Sequence, residues 1–259
     1  MKKIPLFVML VLGPVFSVLG FPEFRLSAGG GLTLGGIFTR YTLKADETTP
    51  RFGYTNLTMK QQSNQFNAGG YLFFDAAYAE FSVDLVRGFN SYRESMKAKS
   101  RGVMTDVLLA GTGSELTLGF TLLGKYPFRM GKGFLLYPLA GIEYQMALVE
   151  KRRPKGDSEY DRQDGGVEEF NPSGDYTLSM WNSFYIDIGA GLDVALSAPL
   201  YLRAELLYGF RLKTAYEKAA IDFLREKYDI SEPSLTGNPK MIGVTSGPEL
   251  RVALGYHFL

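Results

Sequence analysis

The residues of this chain that could do chemistry are charged side chains placed at alternate positions in otherwise apolar runs. Asp187, Asp193, Arg203, Glu205, Arg211 and Arg251 stand this way in the C-terminal third, and Asp84 and Glu143 stand so in two earlier runs. Glu115, Lys125 and Glu249 follow the same rule. Carboxylates and guanidinium groups collected on one side of a sheet support two kinds of chemistry. They hold each other in a structural ion-pair network, or they line a path and select what passes. Little else in the chain is reactive. The only histidine, His257, is followed by Phe258 and Leu259 with no serine nearby, and there is no cysteine, which excludes disulfides and thiolate metal sites. No catalysis, cofactor or metal is expected. A formal net charge of +1 gives no reason to expect a nucleic-acid partner.

The elements that carry these charges are legible in LYLRAELLYGFRL, residues 200–212. Leu200, Leu202, Ala204, Leu206, Tyr208, Phe210 and Leu212 share one face; Tyr201, Arg203, Glu205, Leu207, Gly209 and Arg211 share the other. The same period of two recurs from about residues 24, 66, 81, 115, 134, 183 and 249. Such alternation, repeated over runs of about ten residues, marks strands, not helices. Eight strands result. The connectors near 76–80, 127–133 and 197–199 are short, whereas those near 42–64, 90–113, 149–180 and 213–246 are long and polar. Alternating short and long connectors describe an up-and-down barrel with its long loops at one end. The fold expected is all-β, an eight-stranded antiparallel up-and-down transmembrane β-barrel with long extracellular loops. Residues 103–109 and 241–244 are expected to extend neighbouring strands. Hairpin register about 197–199 sets Asp193 opposite Arg203, a favourable cross-strand pair.

The aromatic positions say which face is wet. Beside the short turns and the chain ends, the apolar parity carries Phe24, Phe74, Phe81, Tyr126, Phe134 and Phe258. Beside the long connectors it carries Phe38, Phe66, Phe89, Phe184 and Phe210. Two aromatic rings bracketing an aliphatic band are the exterior of a barrel in a bilayer. The apolar face therefore meets lipid and the charges point into the lumen. Lys2 and Lys3 followed by an apolar run to Leu19 read as a signal peptide over 1–20, leaving a barrel domain over 21–259.

An exported chain of eight strands, with short turns, long loops and the ending RVALGYHFL, resembles the small outer-membrane β-barrels typified by OmpX, OmpW and the barrel domain of OmpA. The resemblance implies the outer membrane of a diderm bacterium, periplasmic termini and four loops outside. It implies an assembly signal in the last strand, to which Arg251, Tyr256 and Phe258 conform, while Ala253 replaces the usual glycine and Leu259 follows the terminal aromatic. The implied partners are outer-membrane lipids, the assembly machinery acting on that strand, and a host or surface ligand at the loops. Barrels of this kind that act on lipid through a His-x-Ser arrangement differ here, because Leu259 stands where the serine would be.

Two functions follow. One is a non-enzymatic plugged scaffold presenting loops for adhesion, interaction or membrane integrity, and the lumen charges favour it. The other is an OmpW-like channel for small solutes, hydrophobic ones included, for which Leu123, Leu135, Tyr137, Leu139 and Leu207 supply an apolar inner patch. The charge-dense stretch 150–166 reads as solvated surface, and 214–229 as an amphipathic helix capping the barrel mouth.

Overall fold

The computed structural model describes residues 26–47, 54–76, 78–100, 103–131, 133–155, 168–170, 182–212 and 240–258. The leader, Phe24, most of 150–166 and all of 214–229 lie outside the described residues.

Among the described residues, ten strands form one antiparallel sheet: β1 (Leu26–Glu47), β2 (Tyr54–Ala76), β3 (Ala79–Ser100), β4 (Val103–Lys125), β5 (Phe128–Arg129), β6 (Phe134–Lys155), β7 (Glu168–Phe170), β8 (Ser183–Ser197), β9 (Leu200–Arg211) and β10 (Lys240–His257). Eight of them close a ring in the order β1, β2, β3, β4, β6, β8, β9, β10, with β10 back on β1 and β4 directly on β6. The two-residue β5 folds back on the start of β6, and β7 pairs with its far half. Gly131 and Gly133, at φ 85° and 90°, turn the chain between β5 and β6 in a conformation that side chains with a Cβ disfavour.

The strands run further than the alternation of apolar residues indicates. The connectors read at 42–64 and 90–113 shrink to 48–53 and 101–102, and residues 103–109 and 241–244 continue β4 and β10. The reason is visible in KQQSNQ, residues 60–65, where both faces are polar. Where water lies on both sides, a ladder keeps its hydrogen bonds without a periodic sequence. Alternation records the hydrocarbon, not the strand.

The barrel is apolar outside and polar within. Leu32 and Leu72 are 69% and 70% exposed, whereas Arg203 and Arg251 are 0% exposed. Phe74 pairs with Phe81 near the short β2–β3 turn, and Phe66 pairs with Phe89 eight residues along, all four facing out. Eight residues of tilted strand separate the rings by about 20 Å along the axis, close to the ~25 Å apolar band of such barrels. Phe38, Phe184 and Phe210 join the far ring, and Phe134 and Phe258 the near one, all exposed. Tyr126 sits just past β4, half-buried against Phe128 at 5.0 Å. Arg87 breaks the outer pattern. It lies beside Phe89, 5.8 Å from the ring, and donates to Ser114 Oγ at 3.0 Å, a long side chain placed to snorkel toward the headgroups.

Inside, large rings are accommodated by glycines on the adjacent strand. Tyr201 pairs with Gly255 and Tyr137 with Gly191, and a Cβ on either glycine would fall onto the tyrosine ring. Gly255→Val should therefore overpack the lumen and push Tyr201 off its 2.9 Å hydrogen bond to Ser27. A loss of about 1–3 kcal/mol is expected. Gly70→Val, on the exposed face, should change little, since the nearest atom to its added Cβ is Gly31 O at 3.5 Å. Urea titration of the refolded variants reads both, and equal losses would refute this account.

Candidate functional site

Arg203 is the centre of the lumen near the short turns. Its Nε and Nη2 each donate to Asp193 at 2.9 Å, the residue directly opposite on β8. The rest of the guanidinium reaches much further, with Nη1 on Glu80 and Nη2 on Asp75. In the ring, β9 and β3 are four strands apart by either route, so they face each other across the bore. The side chain of Arg203 thus runs from one wall to the other. Glu205 lies 3.8 Å away, and Lys125 completes the layer on Asp75. The cation is flanked by the rings of Phe73, Tyr201 and Tyr137, at 4.4, 5.3 and 5.6 Å. Tyr137 Oη lies within hydrogen-bond distance of both Asp193 (2.9 Å) and Glu205 (3.2 Å). Charge-assisted bonds of this kind are the strong ones, and a buried guanidinium needs them.

Arg251 repeats the device one level further along. It starts on β10, takes Glu249 at 2.6 Å on its own strand, and donates to Ser82 on β3 (3.0 Å) and Thr121 on β4 (3.3 Å). Strands β10 and β4 also face each other in the ring. Thr33 supports Glu249 at 2.7 Å, and Asp84 Oδ2 stands 4.0 Å from the guanidinium. Two arginines, stacked along the axis, cross a bore that in eight-stranded barrels is only wide enough for side chains to fill.

Of the charged residues singled out in the sequence, Asp193, Arg203 and Glu205 share the first layer. Asp84, Glu143, Asp187 and Arg251 face the lumen in or next to the second. Arg211 is separate, lining the far half with Glu115. The partners across the bore (Asp75, Glu80, Ser82 and Thr121) and the aromatic hub Tyr137 were not singled out as network members. The parity of Asp75 and Glu80 beside the β2–β3 turn was the available signal. The apolar patch of Leu123, Tyr137, Leu139 and Leu207 is packed on itself, each residue 3% exposed or less, beside the Arg203 layer. His257 stacks on Tyr201 with ring centroids 4.3 Å apart.

An exposed aliphatic band between aromatic rings, around a closed sheet with a buried charged interior, defines a transmembrane β-barrel protein whose lumen is bridged by its own side chains. No protein-family model and no curated protein matches the chain. Solved structures with a similar fold include the outer membrane protein OprG from Pseudomonas aeruginosa, at 13% identity and a TM-score of 0.40, covering 93% of this chain and 98% of that one. Neisserial surface protein A aligns at 13% identity and a TM-score of 0.31, covering 88% and 98%. The outer membrane protease OmpT from Escherichia coli aligns at 8% and 0.30, covering 93% and 100%. These likenesses are distant and concern the fold only; the barrel rests on its own register and on where its side chains point.

Proposed function

We propose that this chain is a non-enzymatic integral protein of the outer membrane of a diderm bacterium, a plugged barrel that holds surface segments in place. The observation that carries this reading is the pair of arginines spanning the bore, Arg203 from β9 to β3 and Arg251 from β10 to β3 and β4. A path for ions would require both to release their opposite wall, and each release leaves buried carboxylates or hydroxyls without a donor. In this reading residues 1–20 export the chain, both termini stay in the periplasm, and the last strand with Tyr256 and Phe258 is what the assembly machinery takes up. Exposed Arg40, Lys60, Arg93 and Arg153, all on the far side of the far aromatic ring, suit an anionic headgroup layer outside. In this reading the long connectors expected from the sequence at 149–180 and 213–246 supply the surfaces offered to a host or neighbouring ligand.

Single-channel recording of the refolded mature chain in a planar bilayer tests the plug, with a heat-dependent gel shift to establish that it has folded. A silent membrane is expected. Discrete, repeatable openings would overturn the scaffold reading and favour a channel for small solutes, hydrophobic ones among them.

A further inference from the structure

On the far side of Arg251 the lumen is not filled. A cavity of about 40 Å³ opens there, bounded by Asp84 from β3, Glu143 from β6, Asp187 from β8 and Glu249 from β10. Through Gln145 and Tyr185 it adjoins a second cavity of about 70 Å³ in the far half of the barrel, which Glu115 and Arg211 line. Below it, the Arg251 and Arg203 layers close the bore. The result is a cup.

Its charge is unbalanced. Around the smaller cavity four carboxylates face the Arg251 guanidinium, which is occupied with Glu249, Ser82 and Thr121, while Arg211 lies with Glu115 in the larger one. Glu143, 4% exposed, accepts from the Gln145 amide at 2.9 Å. Asp187 is 3% exposed, and its Oδ2 has no hydrogen-bond partner among the described residues. Burying a carboxylate oxygen without a donor is costly unless something supplies one. Three features point to what does. Among the described residues no three acidic or histidine side chains are placed to hold a metal ion. The acceptors come from separate strands, an arrangement suited to a group with several divergent N–H donors, such as an ammonium. The remaining wall includes the inward side chains of Ile37 and Val86, an apolar surface for a short carbon chain. The space admits a few water-sized groups.

We propose that this cup binds a short aliphatic ammonium ion, its amino group among Asp84, Glu143 and Asp187 and its carbon chain along Ile37 and Val86. The proposal goes beyond the scaffold reading and needs no conduction, because a ligand can enter and leave by the same mouth.

Calorimetric titration of the refolded full chain in detergent micelles with propylammonium chloride, at low ionic strength, tests it. Saturable one-to-one binding is expected, with neither potassium chloride nor 1-propanol reproducing it. Asp187→Asn, which keeps shape and removes one acceptor charge, should weaken binding about tenfold, the scale of one charge-assisted hydrogen bond. Glu143→Gln should do the same. The gel shift confirms that each variant has folded. The proposal is overturned if folded wild-type protein shows no saturable binding, if potassium binds as tightly, or if both variants bind propylammonium like the wild type. Conductance is read separately, so a failed plug and a failed ammonium site are distinguishable.

Discussion

Arg203→Met is expected to destabilise the barrel by about 3–5 kcal/mol, the usual cost of deleting one partner from a buried ion-pair cluster. The length of the side chain is nearly kept, so the loss is of charge and hydrogen bonds more than of packing. Asp75, Glu80 and Asp193 would lose their guanidinium contacts together, and Glu205 a neighbouring cation. Lys125 on Asp75 would be the remaining cation of that layer. The energetic argument is asymmetric: a complete buried network is of modest net value, but an incomplete one is expensive. Adding Glu80→Gln and Asp193→Asn to Arg203→Met should therefore restore part of the stability, because it removes two buried charges that the missing guanidinium leaves unpaired. Urea unfolding followed by the gel shift of refolded protein gives the free energies. A triple variant no more stable than Arg203→Met would show that the cost lies in packing against Phe73, Tyr201 and Tyr137. In a planar bilayer the single variant should stay silent, since Arg251 still crosses the bore to Ser82 and Thr121.

Parity was written in the sequence because lipid imposes it. Outward positions between the aromatic rings are held apolar, Arg87 apart, so Leu202, Ala204 and Leu206 identify Arg203 and Glu205 as inward without any knowledge of the ring. Asp193 opposite Arg203 was equally legible, since a three-residue turn at 197–199 gives the register that the tighter turn reaches through the irregularity between Ala195 and Ser197. The reach of Arg203 to Glu80 was not. Which strands face each other depends on the strand count and the stagger around the closed sheet, and neither is a property of any one segment. The same applies to Arg251 with Ser82 and Thr121, residues that look unremarkable in a row of small polar inward positions. The far halves of β1 to β4 were hidden for the opposite reason: without hydrocarbon outside them, nothing forces the pattern. As for the cup, Asp187 and Glu143 read like every other inward acid. Only three-dimensional placement separates an acid with a guanidinium from one without.

Leu206→Arg is expected to cost about 2–4 kcal/mol in a bilayer, the range for a basic residue at the midplane of a barrel's lipid face. Leu206 is 60% exposed, pairs with Leu250 on β10 and Ala190 on β8, and lies between the near and far aromatic rings. No water or headgroup is within easy reach of a guanidinium there. Val244→Arg supplies the contrast. Val244 is also outward and 58% exposed, but it pairs with Arg40, past the ring position of Phe38 on the same strand pair. There the cost should fall to about 0–1 kcal/mol, as it does near the interface. On the exterior of a water-soluble barrel, both changes would stay within about 0.5 kcal/mol, because an exposed side chain has no hydrocarbon to leave. Folding free energies of the two variants in lipid vesicles separate the cases. A large loss at Leu206 with little at Val244 locates the hydrocarbon between the rings. Equal, small effects at both positions would mean that the exposed leucines face something other than lipid, and with that the membrane reading of the whole exterior would fall.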